Sequence, residues 1–339
     1  MIIVLKPSAT EEQKKKVLEK LKNYGFRIHL SEGVERTIIG AIGDERTLSD
    51  KPLISLEGVE EVVPILKPYK VVSRDFKKDD ALIQVGAAKF GAGYLSVIAG
   101  PCSVENEAMI FSVAEKISKS GAKVLRGGAF KPRTSPYAFQ GLGVEGLKYL
   151  RKAADAYKLV LVTEIMDPRD LDLLLKYADI IQIGARNMQN FRLLSEIGKV
   201  KKPVVLKRGL CATVKEFLMA AEYIANEGNY EIILCERGVR SFDTETRNLL
   251  DLSAIPVIKA NSYLPVIVDP SHGTGRRDCI GPMALAAVAA GADGIMIEVH
   301  PQPDEALSDG DQSITPDEFD KIIAKIKNMA AIVGKNIEY

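Results

Sequence analysis

Eight short apolar segments of the sequence each end in a residue that can titrate or bind a metal ion. The residues at or just after these ends are Cys102, Arg126, Glu164, Arg186, Lys207, Arg237, His272 and Glu298. If the segments are the strands of one closed parallel barrel, their carboxyl ends meet at a single mouth. One such residue is as easily a solvated charge as a functional group, but eight that converge indicate an active site.

Five of these ends, or the loops after them, are basic, although the formal net charge of the chain is only +1. The basic residues are Arg126, Lys131, Arg133, Arg186, Lys207, Arg208, Arg237, Arg276 and Arg277. Arginine binds phosphate and carboxylate oxygens in pairs, and lysine acts as a point charge. Acids such as Asp269, Asp278 and Glu236 could neutralise some of these bases, but we expect too few acids for all. The pattern therefore predicts anionic substrates, most simply phosphates and carboxylates.

Four residues are candidate metal ligands, although no short spacing motif connects them. Cys102 follows the first segment, His272 the seventh, and Glu298 and Asp309 lie at the end of the eighth and in the loop after it. The first, seventh and eighth strands are neighbours in a closed barrel. A thiolate, an imidazole and two carboxylates suit Mn, Fe, Co or Zn better than Mg or Ca. A lone cysteine is usually a small buried apolar residue, but His272 and Glu298 favour the metal interpretation.

The loop KPRTSP (131–136) is the other dense motif. Its two prolines restrict the backbone, so Lys, Arg, Thr and Ser are presented with little conformational entropy left to lose. We predict a preorganised phosphate-binding loop, and the alternative is a solvated basic turn. Cys235 lies inside an apolar segment and is predicted to be core, whereas Cys211 and Cys279 have no predicted role.

The elements that must position these residues form a repeating pattern. Apolar, β-branched runs alternate with helical segments, of which 105–120 and 213–228 are the clearest. The runs cover 94–100, 123–128, 159–164, 179–185, 203–209, 231–237, 264–270 and 294–300. Continuous apolar runs are typical of parallel strands buried on both faces. Eight such units predict a (β/α)8 barrel over 94–339, with a doubly wound open sheet as the alternative.

The first 67 residues predict a separate α+β unit. A helix start at Thr10 and strands at 1–6, 27–31, 36–43 and 59–66, with a short helix around 48–56, give the ferredoxin-like order β-α-β-β-α-β. We predict a ferredoxin-like (ACT-like) domain over 1–67 and a linker and barrel-closing segment over 68–93. His29 and Ser31 share a strand face. They either line a small-ligand site or belong to a solvated sheet face.

Composition excludes several classes of protein. The chain has 339 residues, and 46 Lys and Arg balance 45 Asp and Glu, which argues against a nucleic-acid-binding protein. Four scattered cysteines fit a reducing compartment rather than a disulfide scaffold. The N-terminus lacks the order of a signal peptide and no apolar run reaches membrane-spanning length. We predict a soluble cytoplasmic protein.

Long motifs carry a family resemblance over the whole chain. They are AGPCSVE (99–105), LRGGAFKPRTSPYAFQG (125–141), IQIGARNMQN (181–190), LKRG (206–209), ILCERG (233–238), DPSHGTGRR (269–277), IEVHP and SDGDQS. The chain resembles 3-deoxy-D-arabino-heptulosonate 7-phosphate (DAHP) synthase, in the type I-beta form with an N-terminal ferredoxin-like domain. The resemblance implies condensation of phosphoenolpyruvate with erythrose 4-phosphate, which releases phosphate in the first step of aromatic amino-acid synthesis.

The resemblance also implies roles for single residues. Cys102, His272, Glu298 and Asp309 would hold a divalent metal. Phosphoenolpyruvate would be bound through its phosphate by Arg186 and Arg237, next to Ala185, and nearer its carboxylate by Arg126 and Lys207. Lys131, Pro132, Arg133 and Thr134 would form the erythrose 4-phosphate site. We further expect Lys131 to donate a proton to the aldehyde oxygen and Glu164 to orient the attacking water.

Two alternatives stay open at this point. One is 3-deoxy-D-manno-octulosonate 8-phosphate synthase, which uses arabinose 5-phosphate. Its loop at the position of 131–135 typically reads Asn-Arg-Ser-Ser instead of Lys-Pro-Arg-Thr-Ser. The other is a catalytically inactive amino-acid sensor, against which the complete metal and phosphate sets argue. The resemblance implies a homotetramer and inhibition by tyrosine or phenylalanine through the N-terminal domain.

Overall fold

The structure, a computed structural model, describes residues 1–32, 36–43, 53–63, 68–131, 135 and 137–337. The chain forms two compact units, Met1–Pro68 and Tyr69–Tyr339. The first is a small α+β unit and the second is a closed barrel with helices around it. The predicted fold class is therefore confirmed.

The N-terminal unit is built on a four-stranded antiparallel sheet in the order β2-β3-β1-β4. Its elements are β1 (Ile2–Leu5), α1 (Glu11–Asn23), β2 (Arg27–Glu32), β3 (Thr37–Ile42) and β4 (Val59–Val63). The helix predicted around 48–56 falls partly outside the described residues, and the described part, Leu53–Ser55, is a single 3-10 turn.

Helix α1 begins where the sequence predicts it. The Thr10 side chain accepts a hydrogen bond from the backbone N–H of Gln13, and the Gln13 side chain accepts one from the N–H of Thr10. This reciprocal capping box satisfies two N–H groups that the helix itself cannot use. Val17 and Leu21 are buried beside Ile3 and Ile39 of the sheet, so the apolar face of the helix covers the sheet.

The second unit closes eight parallel strands into a barrel in the order β10-β11-β12-β13-β14-β7-β8-β9. A short hairpin, β5 (Ile83–Val85) and β6 (Ala88–Phe90), precedes them. The barrel strands are β7 (Ser96–Gly100), β8 (Val124–Arg126), β9 (Val160–Ile165), β10 (Ile180–Ile183), β11 (Val204–Lys207), β12 (Ile232–Glu236), β13 (Val266–Val268) and β14 (Gly294–Glu298). Seven of them lie within their predicted runs, and β9 extends one residue beyond its run. Because the sheet closes on itself, the open-sheet alternative is wrong.

Helices surround the barrel and bury its outer face. They are α2 (Glu107–Ser120), α3 (Val144–Ala156), α4 (Leu171–Tyr177), α5 (Phe191–Gly198), α6 (Val214–Asn226), α7 (Ala254–Asn261), α8 (Pro270–Thr274), α9 (Arg277–Ala289) and α10 (Pro316–Ile332). The two clearest predicted helices are α2 and α6. Within the described part of the chain, no helix combines the length and apolar character needed to cross a membrane.

The hairpin closes the amino-terminal end of the barrel. Ile83, Ala88 and Phe90 are buried with the side chains that fill the barrel interior. The Ser96 hydroxyl, at the start of β7, donates to the carbonyl oxygen of Lys89 and accepts from its N–H, both at 2.8 Å. This end is therefore packed shut, and the opposite end is the one left for chemistry.

Candidate active site

One layer of side chains inside the barrel explains why functional residues meet at the carboxyl end. The interior is filled by Ile98, Val124, Val162, Ile180, Val205, Cys235, Ile267 and Met296. Strand side chains alternate, so residues two positions further also face inward. Those residues are Gly100, Arg126, Glu164, Gln182, Lys207, Arg237, Asp269 and Glu298. An apolar layer thus supports a layer that is polar on seven of eight strands.

Gly100 is the member of that layer without a side chain, for a steric reason. Its φ is +145°, and a Cβ atom there would lie 2.1 Å from the carbonyl oxygen of Arg126. Only glycine allows this close approach. The close packing of β7 against β8 holds the following turn, which carries Cys102, next to Arg126.

The four predicted metal ligands converge. One donor atom from each of Cys102, His272, Glu298 and Asp309 lies within 4.8 Å of the others. Cys102 and Glu298 are buried, and His272 and Asp309 are half-buried. The set combines a soft thiolate and an imidazole with two hard carboxylates, so it fits a transition-metal ion or zinc.

His272 is held with one ring nitrogen turned toward the cluster. Its Nδ1 lies 2.7 Å from Oδ2 of Asp269, and its Nε2 lies 3.3 Å from Oε1 of Glu298. Asp269 Oδ2 also accepts from Lys207 Nζ at 2.6 Å. Burial lowers the pKa of His272 and favours the neutral ring. With Nδ1–H donated to Asp269, the lone pair of Nε2 is available to a metal.

The thiol of Cys102 lies between a carboxylate and an ammonium group. Burial, followed by the charge of Glu298, raises the pKa of Cys102 to about 12. The thiol lies 2.9 Å from Asp309 Oδ2, and Lys131 Nζ lies 2.9 Å from its sulfur. Burial opposes ionisation of Asp309, but this thiol and nearby positive charge outweigh burial and lower the pKa of Asp309 to about 2. The half-buried ammonium of Lys131 thus lies directly beside the candidate metal ligands.

A cleft of about 560 Å³ opens at the carboxyl end of the barrel, next to this cluster. Its lining includes Lys131, Glu164, Ala185, Arg186, Lys207, Arg237, Arg240, Arg247, Asn248, His272 and Asp309. A smaller pocket shares Lys131, Glu164 and His272 with it and reaches Arg126. The cleft therefore contacts two of the metal candidates, His272 and Asp309, and four of the predicted basic residues.

Two arginines of the cleft are available to an anion. Among the described residues, neither Arg186 nor Arg237 forms an ion pair with an acidic side chain. Arg237 is 5% exposed, and its buried Nη1 atom has no hydrogen-bond partner among the residues that the structure describes. Burial lowers the pKa of Arg237. A buried guanidinium without an acid is costly unless a ligand supplies the negative charge.

Comparison with known proteins identifies the family. The profile of the DAHP synthetase I family matches residues 78–334, and the profile of the DAHP synthase ferredoxin-like domain matches residues 1–67. Phospho-2-dehydro-3-deoxyheptonate aldolase of Thermotoga maritima is 54% identical over 337 residues, which are 99% of this chain and 100% of that protein. The chain belongs to the DAHP synthase family.

Solved structures agree with this assignment. The crystal structure of the Thermotoga maritima DAHP synthase has a TM-score of 0.96 at 54% identity and covers 99% of each chain. A truncated form of the synthase from the same organism has a TM-score of 0.75 at 51% identity. It covers 79% of this chain and 98% of that one.

The two alternatives from the sequence are not supported. The 2-dehydro-3-deoxyphosphooctonate aldolase of a Geobacter species is 33% identical over 272 residues, which are 75% of this chain and 98% of that protein. It is thus a more distant relative. A DAHP synthase is a transferase that joins phosphoenolpyruvate and erythrose 4-phosphate, so this chain is an enzyme and not an inactive sensor.

The structure corrects the expected extent of the basic mouth of this DAHP synthase. Arg208 is buried between Glu236 and Asp251, at 2.7 and 3.0 Å from their oxygens. Arg276 pairs with Asp278 and Arg277 with Asp304, both at 2.8 Å. None of these three arginines lines the cleft. As we expected, acids neutralise some of the basic residues but not all of them, and these three arginines are neutralised outside the cleft.

Sequence analysis missed several polar residues of the site. Arg240, Arg247 and Asn248 line the cleft from the loop that follows Arg237. The sequence contains a feature that could have indicated them: residues 237–253 connect β12 to α7 without an intervening helix, and they include three arginines. Gln182 donates to Glu164 at 3.0 Å, and its position two residues after the interior Ile180 would have indicated it.

Some predicted residues lie elsewhere. Pro132, Arg133 and Thr134 fall outside the described residues, and the neighbouring Lys131 and Ser135 line the cleft. His29 and Ser31 are exposed on β2 of the N-terminal unit. Cys235 is buried in the barrel interior as predicted, Cys211 is exposed and Cys279 is half-buried.

Proposed function

We propose that this cleft performs the condensation with a divalent metal bound by Cys102, His272, Glu298 and Asp309. The observation that carries the proposal is the convergence of these four donors beside Arg186 and Arg237, which have no acidic partner in the part of the chain that the structure describes. Such a metal, of the Mn, Fe, Co or Zn type, supplies Lewis-acid polarisation of an aldehyde carbonyl. Its identity is left to a metal analysis of the purified enzyme.

The proposed position of phosphoenolpyruvate follows from the distribution of charge. Arg186 and Arg237 bind its phosphate, because a dianion supplies the negative charge that is missing beside the buried guanidinium of Arg237. Arg126 and Lys207 are paired with Glu298 and Asp269, which partly neutralise them, and they hold the carboxylate. Ala185, on the turn that carries Arg186, completes this side of the cleft.

The proposed reaction uses the remaining residues of the cleft. Carbon 3 of phosphoenolpyruvate attacks the aldehyde carbon of erythrose 4-phosphate, a C–C bond forms, and Lys131 donates a proton to the aldehyde oxygen. The C–C bond is formed by the π electrons between carbons 2 and 3, which leaves carbon 2 electron-poor. Glu164 orients a water molecule that adds at carbon 2, and one proton of this water restores Lys131. The bond between carbon 2 and the phosphate oxygen then breaks, carbon 2 becomes a carbonyl, and inorganic phosphate leaves with the second proton. The loop of Lys131, Pro132, Arg133 and Thr134 binds erythrose 4-phosphate.

Substrate choice is tested by phosphate release from purified enzyme and phosphoenolpyruvate. We expect release with erythrose 4-phosphate at a rate at least about 100-fold above that with arabinose 5-phosphate, since one pocket rarely accepts sugars that differ by a carbon equally. Release with arabinose 5-phosphate alone would overturn the assignment. A mixture without phosphoenolpyruvate is the control for contaminating phosphatase.

We also propose that the N-terminal unit inhibits the enzyme when it binds tyrosine or phenylalanine. The proposal is supported by the shared, exposed face of His29 and Ser31 on β2. We expect deletion of residues 1–67, or His29→Ala in the full chain, to raise the half-inhibitory concentration at least about tenfold and to leave uninhibited activity similar. If the enzyme without residues 1–67 is inhibited as strongly as the full chain, the proposal is contradicted.

We also propose that the protein is a cytoplasmic homotetramer. Light scattering tests the oligomeric state, and cell fractionation tests the location.

A further inference from the structure

A buried glutamine connects the candidate metal ligands to the cleft wall. Gln312 ends the 3-10 turn Gly310–Gln312, which follows Asp309 in the loop after β14. Only 2% of it is exposed. Its Nε2 donates to Oε2 of Glu298 at 2.6 Å, and its Oε1 accepts from Nη1 of Arg247 at 2.6 Å. Nothing in the proposed reaction uses this side chain.

The contacts divide the two oxygens of Glu298 between two tasks. Oε1 lies 3.3 Å from Nε2 of His272 and accepts from Arg126 at 2.7 Å, so it faces the ligand cluster. Oε2 is the acceptor of Gln312. A carboxylate held at one oxygen in this way cannot rotate without losing a short hydrogen bond in a buried site, where such a loss is costly.

Arg247 determines which way the amide of Gln312 points. An arginine can only donate hydrogen bonds and a carboxylate can only accept them. The amide oxygen must therefore face Arg247 and the amide nitrogen must face Glu298. The same Nη1 atom also lies 3.5 Å from Oδ1 of Asp309. Arg247 thus touches the carboxylate ligand Asp309 directly and the carboxylate ligand Glu298 through Gln312.

We propose that Gln312 is a positioning residue of the metal site, and that Arg247 acts on Glu298 through it. The inference rests on the proposed metal function. Groups that hydrogen-bond to metal ligands typically contribute about 10- to 100-fold in metal affinity. Loss of the amide leaves Glu298 held only through Oε1, by Arg126, so that its carboxylate can turn about that contact. The site then binds its metal more weakly although all four ligands remain.

The test is the dissociation constant for Mn²⁺ of the full-length enzyme, measured by the electron paramagnetic resonance signal of free Mn²⁺. We expect Gln312→Met, which keeps the length of the side chain but removes both hydrogen bonds, to raise the dissociation constant at least about tenfold. Gln84→Met is the matched control, because Gln84 is exposed on β5 and its side chain donates a single, long hydrogen bond, to the carbonyl of Gly86, among the described residues.

Arg247→Met supplies a second variant whose folding is not at risk, because this side chain is 41% exposed. We expect Arg247→Met to raise the dissociation constant for Mn²⁺ about threefold or more in the wild-type enzyme. The same substitution should raise it less in the enzyme that already carries Gln312→Met. Equal effects in both backgrounds would refute action through Gln312. The thiolate-to-Co²⁺ charge-transfer absorption should persist in all variants, since Cys102 is untouched.

The possible failures are distinguishable. A wild-type enzyme that binds no Mn²⁺ and no Co²⁺ overturns the metal function and this inference together. Wild-type binding with an unchanged constant in Gln312→Met overturns the inference alone. The inference is also overturned if Gln84→Met weakens Mn²⁺ binding as much as Gln312→Met does. It is overturned as well if the metal-free forms of these two variants show an equal fall in melting temperature.

Discussion

Replacing Cys102 by alanine is expected to lower kcat by about 1000-fold. The thiol is the proposed ligand from the β7 end, and it lies in a cluster whose donors are within 4.8 Å of one another. A metal that polarises a carbonyl supplies several kcal/mol of transition-state stabilisation, and about 4 kcal/mol corresponds to about 1000-fold in rate. Phosphate release from phosphoenolpyruvate and erythrose 4-phosphate measures the change.

Removal of metal from the wild-type enzyme should reproduce this loss. We expect EDTA treatment and gel filtration to abolish activity and added Mn²⁺ to restore it in the wild type but not in Cys102→Ala. Cys211→Ala is the matched control, because Cys211 is exposed and distant in sequence from the ligands. Activity that survives both EDTA and Cys102→Ala would refute the metal site.

Replacing Arg237 by methionine is expected to lower kcat/KM for phosphoenolpyruvate by about 100-fold. The guanidinium is buried, lines the cleft, and has a buried Nη1 atom without a partner. Loss of a buried charged hydrogen bond to a ligand costs about 3 kcal/mol, which corresponds to about 100-fold. Steady-state kinetics at saturating erythrose 4-phosphate measure this effect.

The same substitution should not weaken the fold. Methionine removes an unpaired buried charge and fills most of its volume, so we expect an unchanged or higher melting temperature without substrate. Arg276→Met is the matched control: this arginine pairs with Asp278 outside the cleft, and kcat/KM should change less than about twofold. A melting temperature that falls steeply in Arg237→Met, with kcat/KM lost in proportion, would assign Arg237 a structural role instead.

Much of the site was predictable because the barrel imposes a period of two on every strand. The sequence positions of Glu298 and Lys207 place each of them two residues after an interior apolar residue, Met296 and Val205. Parallel strands bring such positions to one end of the barrel. The same rule would have found Gln182 and Asp269, and we did not apply it to the amide or to the acid that orients His272.

The arginines show where sequence reasoning stops. Arg208 and Arg237 both follow buried strands in basic motifs, yet one is neutralised by Glu236 and Asp251 and the other faces the cleft. The two arginines differ because Arg237 falls on an inward-facing strand position and Arg208 does not. They also differ because the acids that pair with Arg208 come from distant parts of the sequence. Composition and local motifs contain neither piece of information.

The sequence by itself indicated the eight barrel strands, the start of α1 at Thr10 and the four candidate ligands, because hydrophobic period and residue chemistry can be read from the chain alone. Only the tertiary structure decided which cations remain unpaired and how Glu298 is held. Those outcomes depend on contacts such as Gln312 with Arg247, 65 positions apart, which form only after the barrel closes.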